Sequence, residues 1–425
     1  MLRFAGSALV ALSTALTAAA VAQTRPVTPA NASPATNRAT PAPNQAGGVQ
    51  SPERPSPPPP PPSAAELNAR LAAPLPADQA AMKAHVMFLA SDPMGGREAG
   101  TPQFDVAAQY VASQFYAAGL RPAGDEGGYL QRVPLFAYKL ADNGSATWTP
   151  ARGTAAPLVF SEDYVPSPNP AAAKTSVSGE VVFVGYGISA PELGIDDYKG
   201  VDVRGKIVAF VGGTPPGLNS EESAVLGQAA TKAAAASAKG AIGALALTTR
   251  APNTMQAAQM NRLLEVERVT WTTANGMGSS PVPTTPMLAT LLPAGATKLF
   301  GAAEWAKIAA AVETKPKSFA PVAATGRLTF NSATTSRPLP SSNVVGIIPG
   351  TDPKLKDEVV VLSAHLDHIG TLTRGDGDRI NNGALDNAIG IASLIEEAKR
   401  FTASGKAPRR TVMFLAVTAE EKGLV

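Results

Sequence analysis

Two of the chain's three histidines, His365 and His368, fall in the run HLDH at residues 365–368. An imidazole is a natural ligand for a divalent cation such as zinc, and a carboxylate beside it can fix the ring and raise its basicity. Asp367 stands two residues from His365. On a strand that spacing places both side chains on one face of the sheet, while His368 is expected on the other face in a structural role. Asp386 follows Gly383 and Ala384 in NNGALDNAIG, residues 381–390. An Asp before a helix is ordinarily an N-cap, but Asn387 can cap equally well and would leave both oxygens of Asp386 free to bridge two cations. Glu420 and Glu421 complete the series. Adjacent side chains in a turn diverge, so one can bind metal while the other takes a proton from an attacking water.

Such residues are useful only if a fold gathers them, and the surrounding pattern supplies one. Residues 343–348, 358–363 and 411–417 are continuous apolar runs of the kind found in buried strands. Between the last two, residues 389–401 place Ile391, Leu394, Ile395 and Ala398 on one helical face. Strand, helix, strand implies a parallel pair, and sites in such sheets gather at the carboxyl ends of the strands. Competing motifs fail. Asp376 and Asp378 suggest a calcium loop, but Ile380 occupies the third acidic position. No G-x-S-x-G elbow is present for a serine nucleophile. The glycine-rich stretch 91–101 lacks the GK[ST] of a phosphate loop and reads as a packed loop between helices at 82–90 and 104–118.

The rest of the chain reads as delivery and scaffold. Residues 1–22 have one early positive charge, an Ala/Leu-rich run and small residues at Ala20 and Ala22, the pattern of a secretory signal peptide cleaved after Ala22. Export to a periplasm or beyond is therefore expected. Residues 23–63, ending in a proline run, are too poor in large apolar side chains to offset chain entropy and are expected to form a disordered spacer. Cysteine is absent, which excludes a disulfide framework. The 36 basic and 33 acidic residues form no block of like charge, so no stripe for nucleic acid or lipid is indicated. The folded body divides into residues 64–150, a β-rich module at 151–320 and the α/β segment 321–425. Strands are expected there at 181–186 and 206–211, then a helix at 228–239 running into a strand at 241–247. That helix carries Lys232 and Lys239 and cannot be a membrane span.

Taken together, SAHLDHIG (363–370), NGALDNAIG (382–390) and AVTAEEKG (416–423) resemble the co-catalytic dizinc aminopeptidase family, which includes secreted bacterial leucyl aminopeptidases. FLASDPMGGREAGT (88–101) is similar to that family's N-terminal approach to the catalytic domain. VVFVGYGISAPE with DDYKGVDVRGKIVAF (196–210) is similar to the protease-associated insert of many members. The resemblance implies an α/β fold with a mixed sheet flanked by helices, incomplete here, and an inserted protease-associated β-rich domain. It implies two Zn2+ ions, with His365 on one, Asp386 bridging both and Glu421 on the other. Asp367 would orient the site and Glu420 would be the general base, acting on a peptide or protein substrate. The family pattern also needs an Asp and a His beyond the Glu pair. The chain is therefore expected to be a fragment of a longer product, with an apolar sheet edge left open. A carboxypeptidase or aminoacyl cyclase on the same scaffold, and a metal-free receptor of the same fold, are the alternatives.

Overall fold

The computed structural model describes residues 63–250, 266–373 and 375–424. The expected signal peptide and the proline-rich spacer up to residue 62 lie outside the described residues. Among the described residues, no helix is long and apolar enough to cross a membrane. The chain divides into two compact units, residues 1–71 and 72–425. In the first, the described residues begin helix Ala64–Ala72, whose start is held by Ser63 donating to the Glu66 carboxylate.

The second unit is mixed α/β and is built on two principal sheets. The larger has its axis in the 23-residue strand Gly326–Ile348. The first part of that strand pairs antiparallel with Ser145–Pro150 and Lys174–Gly179, its middle with Leu130–Leu140, and its end with Thr411–Val417. Only residues 343–348 of it read as a strand in the sequence, because Pro338 and Pro340 break the pattern. The register explains their presence. Pro340 lies opposite Pro134, and since neither has an N–H to exchange, this must be a non-hydrogen-bonded pair. Pro338, two residues along, belongs to the same class, so no ladder bond is lost.

Thr411–Val417 pairs in parallel with Val359–His365, which ends the strand order. The helix between them runs over Ile389–Ala403 and buries Ile391, Leu394, Ile395 and Ala398, as its periodicity predicts. It packs with helices Ala77–Leu89 and Pro102–Ala117 into one core that includes Phe104, Phe115 and Phe414. Phe414 meets Phe115 and Phe401 edge to face, with ring centroids 6.4 and 6.0 Å apart. One expectation needs correcting. Residues 358–363 read as a buried strand, yet Val359, Val360 and Val361 are each nearly half exposed. Among the described residues the run has a ladder partner on one side only, so apolar character here marks an open edge.

The smaller sheet has the order Val322–Ala323, Val181–Phe183, Ile207–Val211, Gly243–Leu247, Met287–Leu291 and Tyr164–Pro166. Its four middle strands are parallel and its two edges antiparallel. Every residue of Ile207–Val211 is buried. Helix Ala229–Ala238 crosses between two of these strands and carries Lys232, which is itself buried. Its ammonium donates to the carbonyls of Val211 and Gly213 at 2.9 and 2.6 Å, and burial pushes its pKa down to about 8.

A buried polar cluster joins the three helices of the larger core. The His85 ring lies 2.7 Å from the Tyr110 hydroxyl through Nδ1 and 3.0 Å from Glu396 through Nε2, and Lys399 also bonds Glu396 at 2.8 Å. A neutral ring satisfies both contacts if Nε2–H donates to the carboxylate and Nδ1 accepts from Tyr110. Burial lowers the pKa of His85; the Glu396 hydrogen bond opposes this and the Lys399 charge adds to it. The folded state therefore binds its proton less readily than the unfolded chain. The stability linked to this group is present above about pH 6.5 and falls away as pH drops toward the depressed native value. The His85→Asn variant is expected to lose about 1–3 kcal/mol at neutral pH and to lack that component of the acid-side slope. Urea denaturation of both proteins across the pH range measures it.

Candidate metal centre

Three loops at the carboxyl ends of the parallel pair bring the sequence-predicted residues together. His365 is the last residue of its strand, opposite Val417. Leu366 N–H bonds the Val417 carbonyl at 2.8 Å, so the two strands leave the sheet side by side. The second strand then passes Thr418, whose N–H is held by Asn343 Oδ1 at 3.0 Å, and Ala419, a buried residue with φ of 63°. The short helical turn Glu420–Lys422 follows.

Asp367 is completely buried, and its two carboxylate oxygens accept the backbone N–H groups of Glu420 and Glu421, each at 3.2 Å. This differs from the expected role. The His365 ring is not held by the Asp367 carboxylate; its Nδ1 faces the Asp367 main-chain carbonyl at 3.1 Å. The carboxylate is taken up in fixing the glutamate turn. Burial pushes the Asp367 pKa up, and the two backbone donors work against that.

On the far side of His365, Nε2 lies 3.0 Å from Asp386 Oδ1 and 4.0 Å from Glu420 Oε2. Asp386 sits in a non-helical stretch, with φ −124° and ψ 92°, just before helix Ile389–Ala403. Asn387 Oδ1, one residue before the N-cap Ala388, accepts the Gly390 N–H of the first turn at 3.1 Å, so Asp386 is not drawn into holding the helix start. The Asp386 side chain is 64% exposed, which leaves it open toward incoming ions or substrate.

His368 belongs to the cluster, contrary to its expected place on the opposite face. Its Nδ1 is 2.6 Å from Glu421 Oε1. The period-two alternation that assigned it elsewhere holds only within a strand, and the strand ends at His365. The donor atoms of His365, Glu420 and Glu421 lie within 4.8 Å of one another, and so do those of His368, Asp386 and Glu421. Two overlapping sets of imidazole and carboxylate share Glu421, a donor combination suited to zinc or a similar divalent ion.

Sequence reasoning also missed Arg97, in the loop read only as packing. It is wholly buried, and its guanidinium donates to the carbonyls of Leu366 at 3.0 Å, Asn382 at 2.8 Å, Gly383 at 3.1 Å and Leu89. Burial lowers its pKa to about 10, opposed by the charges of Asp367 and Asp386. The one basic residue of the glycine-rich turn, set between Gly96 and Glu98, was the available signal. Gly96 beside it lets the loop approach closely, because a Cβ there would stand 2.6 Å from the Asn381 carbonyl oxygen. Gly383 is equally constrained. Its φ is +61°, and a Cβ would meet the Asp386 carbonyl oxygen at 2.5 Å and the His368 ring at 2.7 Å.

With this geometry in view, residues 343–425 match the model of peptidase family M28. That segment carries the family's pattern and holds every residue of both donor sets. No curated protein matches the sequence significantly. Among solved structures, the aminopeptidase from Aneurinibacillus sp. strain AM-1 is similar at 19% identity over 81% of this chain, with a TM-score of 0.40. BSAP, a zinc aminopeptidase from Bacillus subtilis, is similar at 16% identity over 83% of this chain, with a TM-score of 0.31. The chain spans 63% and 64% of the lengths of these two proteins.

Because the Asp367 carboxylate fixes the glutamate turn, Asp367→Asn is expected to weaken zinc binding by about 10- to 100-fold, the usual cost of losing an outer support. Gly383→Ala should weaken it as well, by displacing Asp386 and His368. Zinc titration against a competing chelator checks both, with circular dichroism confirming that the variants fold.

Proposed function

We propose that this chain carries the metal-holding part of a zinc-dependent exopeptidase, an aminopeptidase that hydrolyses the bond after the N-terminal residue of a peptide. The observation that carries the reading is the pair of overlapping donor sets at the ends of two parallel strands, within the segment that matches the M28 peptidases. Following the family resemblance rather than the shared Glu421, His365 and Glu421 are assigned to separate zinc ions and Asp386 to both, since Asp386 Oδ1 lies 3.0 Å from His365 Nε2 and falls in one donor set with Glu421. When bound, such ions supply Lewis acidity toward a peptide carbonyl and toward water. Glu420 stands beside Glu421 in the same turn, and we assign it to accept the proton of the attacking water. Asp367 holds that turn in position through the two backbone N–H groups.

The same reading leaves His368, 2.6 Å from Glu421 Oε1, as an additional imidazole at the cluster. It takes the β-rich residues 151–320 as a protease-associated insert shaping access. It takes the leader as directing the protein to the periplasm or outside the cell.

The experiment is to load the protein purified from its native source with zinc and compare a leucyl anilide with its N-acetylated form. Cleavage of the free-amine substrate alone is expected. Release of a C-terminal residue, or cyclisation of an N-terminal glutamine, would replace the aminopeptidase reading with one of its relatives. No chemistry together with no zinc uptake would remove the enzyme reading altogether. Glu420→Gln is expected to lower kcat by about 100-fold or more while zinc content is retained. His365→Ala should instead lose bound zinc, as elemental analysis would show.

A further inference from the structure

Beside the metal cluster lies a cavity of about 760 Å³, within the range of small-ligand sites. It adjoins the cluster through the next residue of the chain at two points, Ile369 after His368 and Lys422 after Glu421. Leu339, Ile369 and Leu372 give it apolar walls, and three cations line it: Lys139, Arg337 and Lys422. Two of these are spoken for. Arg337 grips both oxygens of Glu267, through Nε at 3.1 Å and Nη2 at 2.6 Å, and Lys422 is paired with Glu98. Lys139 is half-buried, and no ion pair to it occurs among the described residues. The bidentate Arg337 contact leaves Glu267 fully engaged, although Glu267 is near enough to feel the Lys139 charge.

A partly buried ammonium with no carboxylate partner among the described residues, in a cavity with apolar walls next to a peptidase-like centre, is arranged to receive an anion. We infer that this cavity takes the leaving-group side of short peptides and that Lys139 binds a carboxylate carried there. The inference rests on the proposed exopeptidase reading for which side of the peptide enters the cavity, but the binding it describes does not require metal or catalysis. The carboxylate can be the C-terminus of a dipeptide or tripeptide, or an acidic side chain, and the test separates the two.

The test is calorimetric binding to the full chain in the presence of chelator. Three ligands are compared: N-acetyl-Leu-Leu with a free carboxylate, its C-terminal amide, and N-acetyl-Leu-Glu-amide, which carries only a side-chain carboxylate. One or both carboxylate ligands should bind about 10-fold more tightly than the amide, equivalent to about 1.4 kcal/mol. Whichever does so identifies the source. Lys139→Met should remove the difference and Lys139→Arg should keep most of it. Equal affinities for all three ligands in the wild type, undetectable binding of all three, or a difference that survives in Lys139→Met would each overturn the inference. Because the wild-type comparison stands without any variant, a poorly folding Lys139→Met does not rescue the idea. Since no bond is cleaved, a failure here leaves the exopeptidase reading to be judged on the anilide assay alone.

Discussion

A carboxylate with no access to water, Asp367, spends both of its oxygens on the backbone N–H groups of Glu420 and Glu421. This single pair of bonds converts two strand ends into one rigid platform, because His365 leaves one strand two residues before Asp367 and the glutamates leave the other. Burying a carboxylate is costly unless its charge is answered by hydrogen bonds or an opposite charge. Both answers are present: two backbone donors, and the field of the buried Arg97, whose own burial cost is opposed by Asp367 and Asp386. The acids on the platform are thus held by a network whose parts depend on one another.

Arg97 extends the same constraint in space. Its guanidinium gathers carbonyls from the end of helix Ala77–Leu89, from Leu366, and from the Asn382–Gly383 turn that precedes Asp386. The planar fork of an Arg can satisfy several carbonyls in fixed directions, which an ammonium on a flexible stem does less well. All three segments carrying donor residues are therefore referred to two buried side chains. The glycines at 96 and 383 are required by how closely these segments approach one another.

The two sheets treat buried charge differently. Near the cluster, positive and negative groups meet across loops. In the smaller sheet, Lys232 is solvated by main-chain carbonyls at the end of a central strand and lies over the rings of Tyr186 and Phe210. Its long stem fills space on an alanine-rich helix that could otherwise bury little. A lysine that looked in the sequence like a polar interruption is part of that sheet's packing.

The sequence by itself determined the elements around the site. Two apolar runs and one amphipathic helix could be placed within a residue or two, as could the parallel pairing of 359–365 with 411–417, because burial periodicity and connection length are local properties; of the long strand Gly326–Ile348 only the last six residues were legible. It also determined the types and order of the donor residues His365, Asp386, Glu420 and Glu421. Tertiary structure alone decided the rest. His368 turned toward Glu421 once its strand had ended, Asp367 gave its carboxylate to a turn 53 residues away, and Arg97 joined segments nearly 300 residues apart. Two prolines were admitted to a long strand by register, and the expected open edge fell on residues 359–365, which have a ladder partner on one side only among the described residues. Each of these depends on which groups arrive from distant parts of the chain, and no window of neighbouring residues carries that information.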